Sequence, residues 1–140
     1  MKMMKKLDMQ FIRYANLFEK ITNVRTKHCF SYNEGIVFIV SKELVSRALG
    51  QDNRNLKKVS EILRKRIKIV GLPSGEQDIE NFVATIIYPN KIRSVELKDG
   101  EATINAGLSK AMLIGRGKKR LEEMQDILGQ YFNVKKLKIS

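Results

Sequence analysis

The chain reads as an α+β protein built from two copies of one unit, each running α-β-β-α-α-β, and three observations lead there. Its 140 residues hold 43% hydrophobic and 30% charged side chains, the composition of a folded chain rather than a disordered one. Set against itself at a shift of 65, the sequence brings Gly35 and Gly50 onto Gly100 and Gly115. It also brings Leu56, Val59, Ile62 and Leu63 onto Leu121, Met124, Ile127 and Leu128 without a gap, and Glu61 onto Asp126. The four apolar positions fall at i, i+3, i+6 and i+7 in both copies, the spacing of a helical stripe, so the match is a structural repeat. Within each copy, helical periodicity is followed by two β-rich runs, two more helical segments and a closing β-rich run.

In the first copy Asp8 is an N-cap candidate, and Phe11, Ile12, Ala15, Phe18 and Ile21, with Leu17, form a helical stripe ending near Thr22-Asn23. Val24 to Phe30 and Ile36 to Val40 are β-branched and aromatic, and the segment from Ser31 to Gly35 joins them as a hairpin. Lys42 to Leu49 is a short helix halted at Gly50, Asn53 to Lys65 a longer one, and Arg66 to Val70 alternates as a strand. In the second copy Asp78 to Ile87 is a helix stopped by Tyr88-Pro89, because the residue before a proline avoids the α region. Ile92 to Leu97 and Ala102 to Asn105 flank Asp99-Gly100, a strong hairpin signal. Leu108 to Ile114 and Lys118 to Leu128 are helices, the second ending at Gly129, and Val134 to Ile139 closes as a strand. The domains are expected at 1–72 and 76–140. The linker from Gly71 to Gly75 is short, and units of about 65 residues gain from packing on a neighbour, so the two are expected to be packed together.

Charge narrows the function. Lys and Arg number 27 against 15 Asp and Glu, a net +12, with residues 1–70 holding 16 basic and 6 acidic side chains and residues 71–140 holding 11 and 9. Such an excess points to a polyanion, since each cation that meets a phosphate releases counterions; a merely basic solvated surface is the plainer alternative. One cysteine and one histidine make neither an internal disulfide nor a four-ligand zinc site. No apolar run is long enough to span a membrane, and Leu7-Asp8-Met9-Gln10 is no signal-peptide core, so a reducing cytoplasm is the expected location.

The chemistry of the repeat sits where the short helix meets the long one, in Ala48 to Leu56 and Leu113 to Leu121. A tight glycine loop opening a helix presents unpaired N–H groups at the positive end of the helix dipole, and glycine lets a phosphodiester come close. The candidate RNA contacts are Gly50, Gln51, Asn53, Arg54 and Lys57 in the first copy and Gly115, Arg116, Gly117, Lys118, Lys119 and Arg120 in the second. Other readings are weaker. The second loop lacks the G-x-x-x-x-G-K-[ST] pattern of a nucleotide P-loop. His28 and Cys29 are adjacent in a strand and point to opposite faces, which leaves Cys29 a small buried hydrophobe and His28 a surface or edge residue. Glu122, Glu123 and Asp126 fit a solvated helix face pairing with Lys118, Lys119 and Arg120. Met1, Met3, Met4 and Met9 are either a frayed tail or an apolar partner face. With 7% aromatics and no Trp, base stacking is not the main source of affinity.

Two loops entered by Ala-Leu-Gly and Leu-Ile-Gly, Tyr88 to Glu96 between the copies, Leu17-Phe18-Glu19 in the opening helix and Gly129 to Val134 near the end together resemble the archaeal NusA-like transcription factors, from roughly Asp8 to Ile139. The resemblance implies two tandem type II KH domains. It further implies single-stranded RNA binding in transcription elongation or termination, contact with RNA polymerase, no catalysis and no cofactor. The fourth loop position, glycine in the GXXG motif of such domains, is Asn53 in one copy and Lys118 in the other; asparagine tolerates positive φ better than lysine. Asp52 repels a phosphate, whereas Arg116, Lys118 and Lys119 attract one, so the second loop is expected to be the closer clamp and the first unit the source of long-range attraction, its long helix tracking the backbone through Arg54, Lys57, Lys58, Arg64, Lys65 and Arg66. Two further readings stay open: a ribosomal or RNA-processing KH protein, and an adaptor on RNA polymerase whose loops no longer bind RNA.

Overall fold

The structure, a computed structural model, describes residues 9–140. These divide into two compact units, 9–72 and 73–140. Among the described residues the architecture is mixed α+β, with six α-helices and two three-stranded sheets. The N-cap expected at Asp8 and the expectations for Met1, Met3 and Met4 lie outside the described residues.

In the first unit α1 (Met9–Thr22) ends where Thr22 Oγ1 donates to the Phe18 carbonyl at 2.8 Å and accepts the Val24 N–H at 3.1 Å. Its buried stripe is Tyr14, Phe18 and Thr22, with Phe11 and Ile21 partly covered. Ile12, expected in that stripe, is 47% exposed. Residues i+3 and i+7 from Phe11 share its face, whereas i+1 is turned about 100° away. Phe18 stacks on Phe38 with ring centroids 4.4 Å apart.

Strands β1 (His28–Tyr32) and β2 (Gly35–Val40) pair antiparallel across a two-residue turn, Asn33-Glu34, both at positive φ. The expected five-residue loop is therefore shorter, with both strands extending into it. β2 is buried at every residue, as its Gly-Ile-Val-Phe-Ile-Val sequence demands. It lies at the centre of the sheet and also pairs in parallel with β3 (Ile67–Gly71). The connection passes through a 3₁₀ turn, α2 (Val45–Leu49), a loop and α3 (Arg54–Leu63), the helical crossover that parallel pairing requires. Gly71, expected in the linker, belongs to β3.

The second unit repeats this plan. α4 (Ile79–Ile87) precedes β4 (Ser94–Lys98) and β5 (Glu101–Asn105), which turn at Asp99-Gly100, and α5 (Lys110–Ile114) and α6 (Lys119–Phe132) lead to β6 (Lys136–Ile139), parallel to β5. Two equivalences expected from the repeat fail. Gly35 opens a strand, where a Cβ would lie 2.7 Å from the Arg66 carbonyl oxygen, while Gly100 is a turn residue at φ +78°; the hairpins align at a shift of 66. Ile62 is 51% exposed whereas Ile127 is fully buried; i+6 lies about 120° off the stripe through i and i+7 in both helices, so its burial is set by what packs on that flank and not by the repeat. Nor does Gly129 end α6. The helix continues so that Tyr131 and Phe132 meet Phe82 of α4 at 5.3 and 5.5 Å, and Asn133 ends it at φ +56°.

Candidate nucleic-acid interface

Each short helix runs into its glycine through a last N–H, Gly50 to the Ser46 carbonyl and Gly115 to the Ala111 carbonyl. The glycines then adopt φ/ψ of 78°/170° and 75°/170°, a region open essentially to glycine alone. A Cβ would come within 3.1 Å of the Asn55 backbone nitrogen in one loop and 2.9 Å of the Arg120 nitrogen in the other. Two left-handed residues follow: Asp52 and Asn53 at φ 54° and 59°, and Gly117 and Lys118 both at φ 62°. The Asn53 N–H bonds back to Gly50, and the Lys118 N–H to Gly115. The loops thus share one backbone path although only the first glycine is common to both.

That path places the first turns of α3 and α6 at the surface. Neither Asn53 nor Lys118 caps its helix through a side chain, and the Arg54 and Lys119 N–H groups donate to the Gln51 and Arg116 carbonyls, so each loop presents the positive end of a helix dipole rather than a row of free donors. Gln51, Asn53, Arg54 and Lys57 are exposed in the first unit, and Arg116, Gly117, Lys118 and Lys119 in the second. No atom lies within 4 Å of a Cβ built on Gly117, so a ligand can approach its backbone. Arg120 is placed differently. Its side chain is 12% exposed and packs against Gly115, and its guanidinium donates to Glu123 Oε1 at 2.6 Å. It closes the loop from behind rather than fronting it, and it is one of the pairings expected on that face.

Asp52, Lys58 and Glu61 stand outside the set of loop contacts, Lys58 being read instead as one of the backbone-tracking cations of the long helix. With Gln51, Arg54 and Lys57 they line a shallow open depression beside the first loop; the signal was the i, i+3, i+4, i+7 spacing of Arg54, Lys57, Lys58 and Glu61. His28 and Cys29 stand apart, on β1. Burial pushes the Cys29 thiol up to about 12, which removes the thiolate needed of a nucleophile. Burial and the nearby Lys27 charge hold His28 below its usual value. Among the described residues, no group of three or more His, Cys, Asp or Glu could hold a metal ion, and no helix is long and apolar enough to cross a membrane.

No family model matches the chain. It is 27% identical over 140 residues to a probable transcription termination protein NusA of Methanococcus vannielii, covering 96% of this chain and 79% of that protein. A probable transcription termination protein NusA of Halococcus morrhuae is 24% identical over 133 residues, covering 92% of this chain and 94% of that one. Among solved structures, the crystal structure of APE1850 is similar with a TM-score of 0.64 and 29% identity, covering 96% of this chain and all of that one.

Proposed function

We propose, from the premise that this is a NusA-like protein of the archaeal kind, that it is a non-enzymatic RNA-binding factor of transcription elongation or termination. Its tandem KH units, 1–72 and 76–140, hold single-stranded RNA at their glycine loops. The observation that carries this is the common backbone of the two loops: glycine in its private conformation, two left-handed residues, then an uncapped helix start. Strained backbone of this kind clusters at ligand-binding sites, and both copies carry it. A phosphate set on such a helix start meets the positive end of the dipole and the basic side chains around it, with the bases lying in the groove beside it. The second loop adds Arg116, Lys118 and Lys119, whereas the first adds Asp52, so the second is the firmer clamp. Contact with RNA polymerase is part of the same reading.

Binding of a labelled single-stranded RNA to the full chain tests this. Arg116→Glu with Gly117→Asp should weaken binding at low salt by roughly tenfold or more; aspartate at the third position is tolerated, because Asp52 already adopts that conformation. Gln51→Glu with Asn53→Asp should cost about threefold or less. Equal losses would remove the asymmetry between the loops. Absence of binding by the unmodified protein would leave the adaptor reading in its place.

A further inference from the structure

From the loops onward α3 and α6 align residue for residue, since the loop dihedrals coincide and the helices start at Arg54 and Lys119. On that alignment the first turn is basic in both, and then the signs part: Lys57 and Lys58 stand where the second unit has Glu122 and Glu123. Arg54, Lys57, Lys58 and Glu61 recur on one exposed face of α3, with neighbouring Cβ atoms about 5–6 Å apart, along the depression described above. α3 carries three cations and one acid, and α6 two cations and three acids, one cation held by Glu123. Exposed Arg64, Lys65 and Arg66 follow α3 directly. Positive charge therefore continues from the loop along a helix about 15 Å long.

We infer that the exposed face of α3 is a contact surface for RNA that runs on from the loop, takes the sugar–phosphate backbone by charge and accepts paired as well as single-stranded RNA, with no counterpart on α6. This rests on the RNA-binding reading proposed above. A glycine loop that sets backbone beside a base-binding groove needs unpaired bases. A row of ammonium and guanidinium groups on a helix exterior meets phosphates only, and these are present in either strand state. Asp52 turns phosphates from the first loop, so in that unit the helix face is the stronger anion surface.

The double variant Lys57→Glu/Lys58→Glu installs the second unit's own residues at exposed positions, and Glu122→Lys/Asp126→Lys adds cations to the exposed face of α6, leaving Glu123 with Arg120. The 140-residue chain and each variant of it are titrated with a labelled single-stranded RNA and with a blunt RNA duplex between about 50 and 200 mM salt, and circular dichroism checks folding. The unmodified protein should bind the duplex at low salt. Lys57→Glu/Lys58→Glu should weaken duplex binding about tenfold or more and flatten its log–log salt slope by about 2, with a smaller loss for the single strand. Glu122→Lys/Asp126→Lys should strengthen duplex binding and steepen the slope, an arm that does not depend on how the first variant folds. A protein that binds single strands but not the duplex, or a duplex slope that neither variant changes, would overturn the inference and leave the RNA-binding reading standing. A protein that binds neither RNA would remove both.

Discussion

Gly50 and Gly115 hold a backbone conformation that a side chain enters only at about 1–3 kcal/mol, and each also sits against the peptide nitrogen five residues on. Gly115→Ala should therefore lower the unfolding free energy by about 2–3 kcal/mol. Gly117→Ala meets open space and bears only the left-handed cost, about 1 kcal/mol. Lys118→Gly should act in the opposite direction, raising stability by up to about 1 kcal/mol, because lysine at φ 62° is itself strained. Urea denaturation of the three variants measures these values, and an unaffected Gly115→Ala would show that the loop has another low-energy path. The first glycine was legible as a repeated letter. The third loop position was not, since Asp52 and Gly117 have nothing in common except tolerance of positive φ.

Among the elements, the opening helix shows how much periodicity decides and where it stops. The α1 pattern was visible, but Phe11, Ile12, Ala15 and Phe18 were all candidates for the buried face, and the position of α3 and the sheet chose Phe11, Tyr14 and Phe18. Phe18→Ala removes a fully buried ring stacked on Phe38 and should cost about 3–5 kcal/mol. Ile12→Ala, at a half-exposed site, should stay within about 0.5 kcal/mol. Thermal or chemical denaturation of the two single variants checks the ranking, and a costly Ile12→Ala with a harmless Phe18→Ala would reverse the assignment of faces. At the other end of the chain, α6 runs through Gly129, since the contact of Tyr131 and Phe132 with Phe82 outweighs a penalty of about 1 kcal/mol for a glycine inside a helix.

At the scale of the whole molecule the governing quantity is charge, a net +12 carried mostly by residues 1–70. If Arg54, Lys57, Lys58, Arg116, Lys118 and Lys119 each engage a phosphate of a single strand, the logarithm of affinity should fall against the logarithm of salt with a slope of about −4. Between about 50 and 200 mM salt that is a loss of roughly two orders of magnitude. A salt titration of single-stranded RNA binding measures it; a slope near −1 would place most of the basic excess against solvent.

The duplication, the order of helices and strands, the two obligatory glycines and the uneven charge are legible along the chain, because periodicity, φ tolerance and net charge are properties of a residue and its near neighbours. Only the tertiary structure decided that Ile62 is exposed while Ile127 is buried, that Gly35 serves a close strand approach while Gly100 serves a turn, and that Arg120 turns to Glu123 behind its loop. Each of these depends on what lies opposite the residue in space. A helix with two apolar flanks, a glycine with two possible uses, or a cation with several acids within i+3 and i+4 reach is resolved by the neighbour that packs there, and that neighbour is distant in the chain.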